Sequence, residues 1–385
     1  MAGAVSERIG YRPPVPDTPP AIVRELFERR LYPGNWFTED LRNTLPPARL
    51  KLMVDALAEQ FGSLRNVRSS GEGYLAELER GSVPVMLTLD LAGRLASLRF
   101  STASPRFGSL EEAAAAFRKL PESLSLLVIR NNEQVLAIEP DRLMAVGSAF
   151  KLAILKVLAG QVAAGKIAWT DLVPLEPGWR ALPSGVLHDW PADVSLTVQT
   201  LACLMISMSD NTATTAVLEL VGREQVEAIA PHCRPFLTPR EFFILKSAQA
   251  HDLRKRYLRA DTAGRRAVLQ ALRDIDLPRG AEVLTFGNRD IEWLFTAREL
   301  CGFMNEVAAL PAMRINPGLA DKREWRAAAF KGGSDIGVLS LNTWLEGANG
   351  TNWCISANWN SEQPLKSDLL YSLYTALIDL LRRST

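Results

Sequence analysis

The sequence predicts an α+β protein in two parts. A small N-terminal α+β domain spans residues 21–105, and a larger domain over residues 106–385 has an antiparallel sheet with an inserted helical subdomain. Three observations predict this. The 385 residues exceed what a single hydrophobic core ordinarily serves. The first part reads as two helices and then a strand meander, which lays helices on one sheet face. The second part has strand-like runs at both ends and helical periodicity between them, so one sheet closes around a helical insertion.

Residues 1–20 are rich in proline and read as a flexible tail. AIVRELFERRLY places apolar residues at helical spacing, and LPPARLKLMVDALAEQFGSL repeats that spacing after a Pro-Pro start. GYLAELERG, VPVMLTLDL and GRLASLRFST read as strands punctuated by Gly81 and Gly93. The connector ASPRFGS and the helix LEEAAAAFRKL lead into the second domain, where LSLLVIR and EQVLAIEP form a hairpin about Asn131-Asn132. The next helix, VGSAFKLAILKVLAGQVAAG, carries a serine near its start. Helical segments then run from about Leu196 to Leu277. The strands WRAAAFKGGS, GVLSLNTWLE and NWCISANWN follow. The closing helix, LKSDLLYSLYTALIDLLRRS, is amphipathic and ends in basic residues, where the helix dipole favours them.

Composition narrows the function. With 44 basic and 43 acidic residues the net charge is +1, which argues against nucleic acid or an anionic membrane as partner. No apolar run approaches the roughly 20 residues of a membrane helix. The opening residues contain no stretch of signal-peptide length, so a cytoplasmic location is expected, or a periplasmic or secreted one if a leader precedes them. Cys203, Cys233, Cys301 and Cys354 form no C-x-x-C pair, and Cys203 and Cys354 lie in apolar runs that read as buried. His188, His232 and His251 are far apart, so no metal site is expected, and no G-x-S-x-G elbow accompanies them.

Three short motifs carry chemistry. In Ser148-Ala149-Phe150-Lys151 the serine and lysine share a helix face, and an apolar continuation, LAILKVLAG, can bury the amine. Burial lowers a lysine's pKa, and an uncharged amine can serve as the base that a serine nucleophile needs. At a helix start the Ser148 N–H is also free to hold an oxyanion. Ser209-Asp210-Asn211 breaks two apolar helical runs, where such residues cap helices. It also offers Ser209 as a proton relay and the Asn211 amide as a ligand for a substrate carbonyl. Lys331-Gly332-Gly333-Ser334 ends a strand, where glycines permit close approach of a backbone or ligand.

In this order and context the set S-x-x-K, S-D-N and K-[TSG]-G resembles the class A β-lactamases and penicillin-binding proteins over about residues 120–385. With its N-terminal α+β unit and the string FKGGS, nearly the whole chain looks like the two-domain β-lactamase-like esterases encoded in clavulanic acid biosynthesis clusters and their bacterial relatives. The resemblance implies a cyclase/isomerase-like first domain and a serine β-lactamase-like second domain. It implies Ser148, Lys151, Ser209 and Lys331 as catalytic residues, with Asn211, Gly332, Gly333, Ser334 and Glu241 at the substrate. No cofactor or metal is implied; the partner is a small ester or β-lactam.

Two departures qualify the resemblance. The glutamate that positions the deacylating water in class A enzymes is matched in position by Glu241, but PREFFILK lacks the companion asparagine, and a structural Glu241 is the plainer reading. Gly332 replaces the usual hydroxyl residue, which weakens selection for carboxylate substrates, and Asp335 lies just beyond. The expectation is therefore an esterase with weak β-lactamase activity. A D,D-peptidase or a non-enzymatic β-lactam binder is the alternative. The charged stretch over residues 246–285 reads as a solvated helical pair or as a lid.

Overall fold

The computed structural model describes residues 15–384, except residues 17, 31, 72, 192, 279–282 and 284–288. Most of the Pro-rich tail thus lies outside the described residues, as does part of the far end of the 246–285 stretch. The chain divides into two compact units: residues up to Ala113 together with Asp368–Ser384, and Ala114–Ser367.

In the first unit, α1 (Pro19–Glu28) begins on two prolines, whose fixed φ suits the first helical turn. A short α2 (Glu39–Thr44) is capped by the Thr38 hydroxyl, and α3 (Pro47–Phe61) follows. The meander is β1 (Leu64–Ser70), β2 (Gly73–Leu78), β3 (Gly81–Leu89) and β4 (Leu95–Phe100), antiparallel in that order, with β5 (Ser104–Pro105) beside β3. Ile22, Leu26, Trp36, Leu50 and Val54 from the helical side meet Ala76, Leu78, Val83, Val85 and Leu95 from the sheet. Thus helices laid on one sheet form the core, as the pattern predicts. The strand β1 was not anticipated. Its sequence, LRNVRSS, is polar because it lies at the end of the strand order, paired only with β2 and largely solvated.

The helix α4 (Leu110–Phe117) leads into the second unit. Here β6 (Ser123–Arg130) and β7 (Glu133–Ile138) form the expected hairpin. Asn131 and Asn132 take φ of 47° and 70°, a left-handed pair that asparagine tolerates better than most residues. A short β8 (Met144–Ala145) precedes α5 (Lys151–Ala163), whose Leu152, Ala153, Ile154, Leu155 and Leu158 are all buried, marking a central helix. Next come β9 (Leu172–Pro174) and β10 (Ser195–Thr197), a two-stranded ribbon.

The helical middle is α6 (Val198–Ser207), α7 (Asn211–Val221), α8 (Arg223–Ile229), α9 (Pro239–Lys246), α10 (His251–Arg259) and α11 (Thr262–Ala271). Then β11 (Leu294–Phe295) pairs with β8, and α12 (Ala297–Val307) and α13 (Pro311–Arg314) lead back to the sheet. The strands β12 (Ala327–Asp335), β13 (Val338–Glu346) and β14 (Asn352–Asn360) complete an antiparallel order β12-β13-β14-β6-β7. The sheet therefore joins strands from both ends of the unit, with the helices inserted between them.

The final helix, α14 (Ser367–Arg382), is counted with the first unit through Asp368–Ser384, and the Ser372 hydroxyl donates to the Ala103 carbonyl there. Cys354 is buried as expected, with its Sγ 2.8 Å from that of Cys301, whereas Cys203 is only partly covered. Among the described residues no helix is long and apolar enough to cross a membrane.

Candidate active site

Ser148 does not open a regular α-helix. It sits in a 3-10 turn, Gly147–Phe150, directly before α5, and Lys151 is the first residue of that helix. The turn is pinned from below. Val146 donates its N–H to the Trp293 carbonyl, and the Phe150 ring stacks on the Trp293 indole at 3.8 Å. Ala149 and Phe150 are buried, which leaves Ser148 partly open to solvent.

The end of β12 lies against this turn, backbone to backbone. A Cβ at Gly333 would stand 2.1 Å from the Val146 oxygen, 2.5 Å from the Ala149 nitrogen and 2.6 Å from the Ser148 nitrogen. A Cβ at Gly147, where φ is +48°, would stand 2.8 Å from the Ser334 nitrogen. Only glycine at both positions permits this approach, and it brings the amides of Ser148 and Ser334 to one place.

On the other side of the turn, the Lys151 side chain is fully buried. Its Nζ donates to the Ser209 carbonyl at 2.6 Å and to the Asn211 Oδ1 at 2.7 Å, and lies within hydrogen-bond distance, 3.0 Å, of the Ser209 hydroxyl. It makes no hydrogen bond to the Ser148 hydroxyl. None of its partners carries a charge. Burial, helped by the positive charge of Lys331 and opposed by Asp210, holds the amine well below the ordinary lysine range.

Ser209 occupies the break between α6 and α7 with φ +56°, an unusual conformation for a residue with a Cβ. What fixes it is Asp210, which is fully buried and caps α7 by accepting from the Ala213 N–H at 2.8 Å. The other carboxylate oxygen accepts from Val186 and Leu187 at 2.6 and 2.9 Å. The capping role and the site role of S-D-N are therefore one arrangement. Asn211 spends its oxygen on Lys151 and one N–H on the Leu182 carbonyl, 2.8 Å away, so a single N–H remains for a substrate. Ser184 and Gly185 carry no motif and were missed. The Ser184 hydroxyl donates to the Ser209 carbonyl at 2.6 Å, and a Cβ at Gly185 would lie 2.2 Å from the Asp210 carboxyl.

Lys331 is 3% exposed and reaches the Ser209 hydroxyl at 3.2 Å, with the Gly332 carbonyl as its second partner at 2.5 Å. Burial lowers its pKa to about 7. Behind it runs a fully buried polar row also missed in the sequence. Asn342 donates to the Lys331 carbonyl at 3.1 Å, Ser356 donates to Asn342 at 2.7 Å, and Ser340 donates to Asn358 at 2.6 Å. Such a network, with its members satisfied, fixes the strand that carries Lys331. Gly332 faces the opposite way from Gly333, against the Phe330 ring.

Ser148, Lys151, Ser209, Asn211, Lys331, Gly333 and Ser334 thus meet through a chain of direct contacts. Glu241 is not brought to them. Its side chain closes a capping box with Thr238, accepting from the Thr238 N–H at 2.8 Å, and pairs with Arg223 at 2.9 Å. Together with Trp179 and Arg240 it lines a separate cavity of about 310 Å³ that includes none of the seven. The plainer reading of Glu241, a structural residue, accounts for both of its oxygens.

Comparison with known proteins bears on the fold. The model of a family described as the β-lactamase enzyme family matches residues 110–233, which include the Ser148 turn and the S-D-N break. No curated protein matches the chain. Among solved structures, a β-lactamase from Sphaerobacter thermophilus is similar over 72% of this chain and 97% of its own, at 18% identity and a TM-score of 0.51. A β-lactamase from Desulfarculus baarsii is 18% identical over 71% of this chain and 98% of its own, with a TM-score of 0.47. The C-terminal region therefore has a β-lactamase-like fold.

Proposed function

We propose that the chain is a serine hydrolase that transfers acyl groups through Ser148, with esters preferred over β-lactams. The observation that carries this reading is the buried Lys151 amine, which is held by uncharged oxygens and shares the Ser209 hydroxyl with a second buried lysine. An uncharged amine has two N–H groups and one lone pair. The Ser209 carbonyl and the Asn211 Oδ1 can only accept, so they take the two N–H groups. The lone pair is then left to the Ser209 hydroxyl, which can donate.

The proposed steps follow. The Ser148 proton passes through the Ser209 hydroxyl to Lys151 while the Ser148 Oγ attacks the ester carbonyl. The oxyanion forms beside the N–H groups of Ser148 and Ser334. Lys331 donates to the Ser209 oxygen and favours return of the proton through Ser209 to the departing alcohol. Water then cleaves the acyl-serine, with Lys151 again taking a proton.

Two features support esters over β-lactams: Glu241 is committed elsewhere, and Gly332 supplies no hydroxyl to a substrate carboxylate. The resemblance to the two-domain esterases points the same way. A second reading, acylation without turnover, is favoured by the same missing carboxylate.

Incubation with para-nitrophenyl acetate and with a chromogenic cephalosporin, followed by chromophore release and intact mass, separates these readings. Turnover of the ester with a transient mass increment is expected, and a slow, persistent increment from the cephalosporin. Unchanged turnover in Ser148→Ala would remove Ser148 from the reaction.

A further inference from the structure

A second ion pair, between Lys246 and Asp335, lies at the end of β12 that packs on the Ser148 turn. Along β12, Lys331, Gly333 and Asp335 project to the same face, since side chains alternate and each residue advances about 3.3 Å. Gly333 lies beneath the turn. Lys331 holds the strand on one side, through Ser209. On the other side Asp335 pairs with the amine of Lys246, the last residue of α9, which is 3% exposed. The Asp335 Oδ1 also accepts from the Ile336 N–H at 2.8 Å, so both carboxylate oxygens are engaged.

Lys246 is held in turn by aromatic rings. Its Nζ lies 5.1 Å from the centre of Phe242 and 5.9 Å from that of Phe243, within cation–π range. Phe242 packs on Trp293 with ring centres 4.6 Å apart, and Trp293 is the residue that stacks on Phe150 and accepts from Val146. Glu292, next to Trp293 in sequence, makes no hydrogen bond to either member of this pair. It is 9% exposed, and neither carboxyl oxygen finds a well-formed hydrogen bond. Burial first, and then the neighbouring Asp335, push its carboxyl well above the usual range, with Lys246 opposing.

We infer that Lys246 and Asp335 form an electrostatic clamp that seats the end of β12 against the Ser148 turn and so holds the Ser334 N–H in place as an oxyanion donor. Lys246 and Asp335 are positioning residues in this arrangement. The inference rests on the reading of Ser148 as nucleophile only for its catalytic consequence; the seating itself is a structural claim.

The test compares hydrogen exchange by mass spectrometry with para-nitrophenyl acetate hydrolysis. It uses wild type, Lys246→Arg and the double variant Lys246→Met with Asp335→Asn, which removes the pair without leaving a lone buried charge. The double variant should exchange faster in residues 331–338 and 146–150 while the rest of the sheet stays protected. Its kcat should fall about a hundredfold with KM little changed, the effect of shifting a group by about an ångström that acts only in the transition state. Lys246→Arg should restore much of both. Unchanged exchange in residues 331–338, or faster exchange spread evenly over the sheet, would overturn the clamp. If wild type fails to hydrolyse the ester, the functional reading fails, and the exchange comparison still decides the clamp.

Discussion

Replacing Lys331 by methionine should make the protein more stable and less active at once. The Lys331 pKa lies at about 7, against 10.5 for an ordinary lysine. That difference is on the order of 5 kcal/mol at about 1.4 kcal/mol per unit. Methionine removes this cost and forfeits two hydrogen bonds, to the Ser209 hydroxyl and the Gly332 carbonyl, worth about 1 kcal/mol each. A net gain of about 2 to 3 kcal/mol near neutral pH follows.

The sign with pH follows from proton binding. Between about 10 and 7 the unfolded chain binds a proton at this lysine that the folded chain does not, so wild-type stability falls as pH drops through that window and levels off below it. The advantage of Lys331→Met should be full near pH 7, vanish at about pH 9 and reverse by about pH 10, where the two lost hydrogen bonds remain. Urea unfolding across that range, followed by tryptophan fluorescence, reads it; all tryptophans but Trp36 lie in the second unit. A variant less stable than wild type near neutral pH, or a difference flat with pH, would refute the reasoning. The kcat for an ester should fall about a hundredfold in the same variant, because Ser209 loses the Lys331 N–H that donates to its oxygen.

Three further outcomes are expected. Gly333→Ala forces a Cβ onto three backbone atoms that cannot yield; it should abolish acylation of Ser148 and destabilise by about 2 to 4 kcal/mol, read by intact mass and thermal melting. Glu241→Gln should weaken the capping box and the Arg223 pair, lowering stability by about 1 kcal/mol, while ester turnover continues; accumulation of acyl-enzyme would instead make Glu241 the deacylating base. Glu292→Gln mimics the protonated acid. Because the folded pKa is raised, wild type loses stability as pH climbs above the ordinary carboxylate range, so the melting temperature of the variant should pull ahead of wild type with rising pH; a constant offset would contradict this.

The three motifs were legible because each combines a chemical group with local backbone behaviour that the sequence also encodes. Asp210 caps α7 and thereby sets Ser209, and Gly333 can touch the Ser148 turn only as glycine. The hairpin at Asn131-Asn132 was legible for the same reason. What stayed hidden depends on contacts distant in sequence. Ser340, Asn342, Ser356 and Asn358 sit within strands where nothing local says that they pair in a buried row. Lys246, Glu292 and Asp335 come from three separate elements, and each alone reads as surface charge. The strand β1 was missed because a strand paired on one side needs no apolar alternation. Glu241 was placed by its distance from Ser209 along the chain, whereas its carboxylate is governed by the start of α9.

The most direct measurement is a crystal structure after inactivation with a para-nitrophenyl phosphonate ester, which leaves a stable tetrahedral mimic of the acyl-transfer intermediate. Phosphorus bonded to the Ser148 Oγ is predicted, with one phosphonyl oxygen within hydrogen-bond reach of both the Ser148 and Ser334 nitrogens and Lys151 still on Ser209. Phosphorus on any other residue, or that oxygen turned away from both amides, would contradict the account.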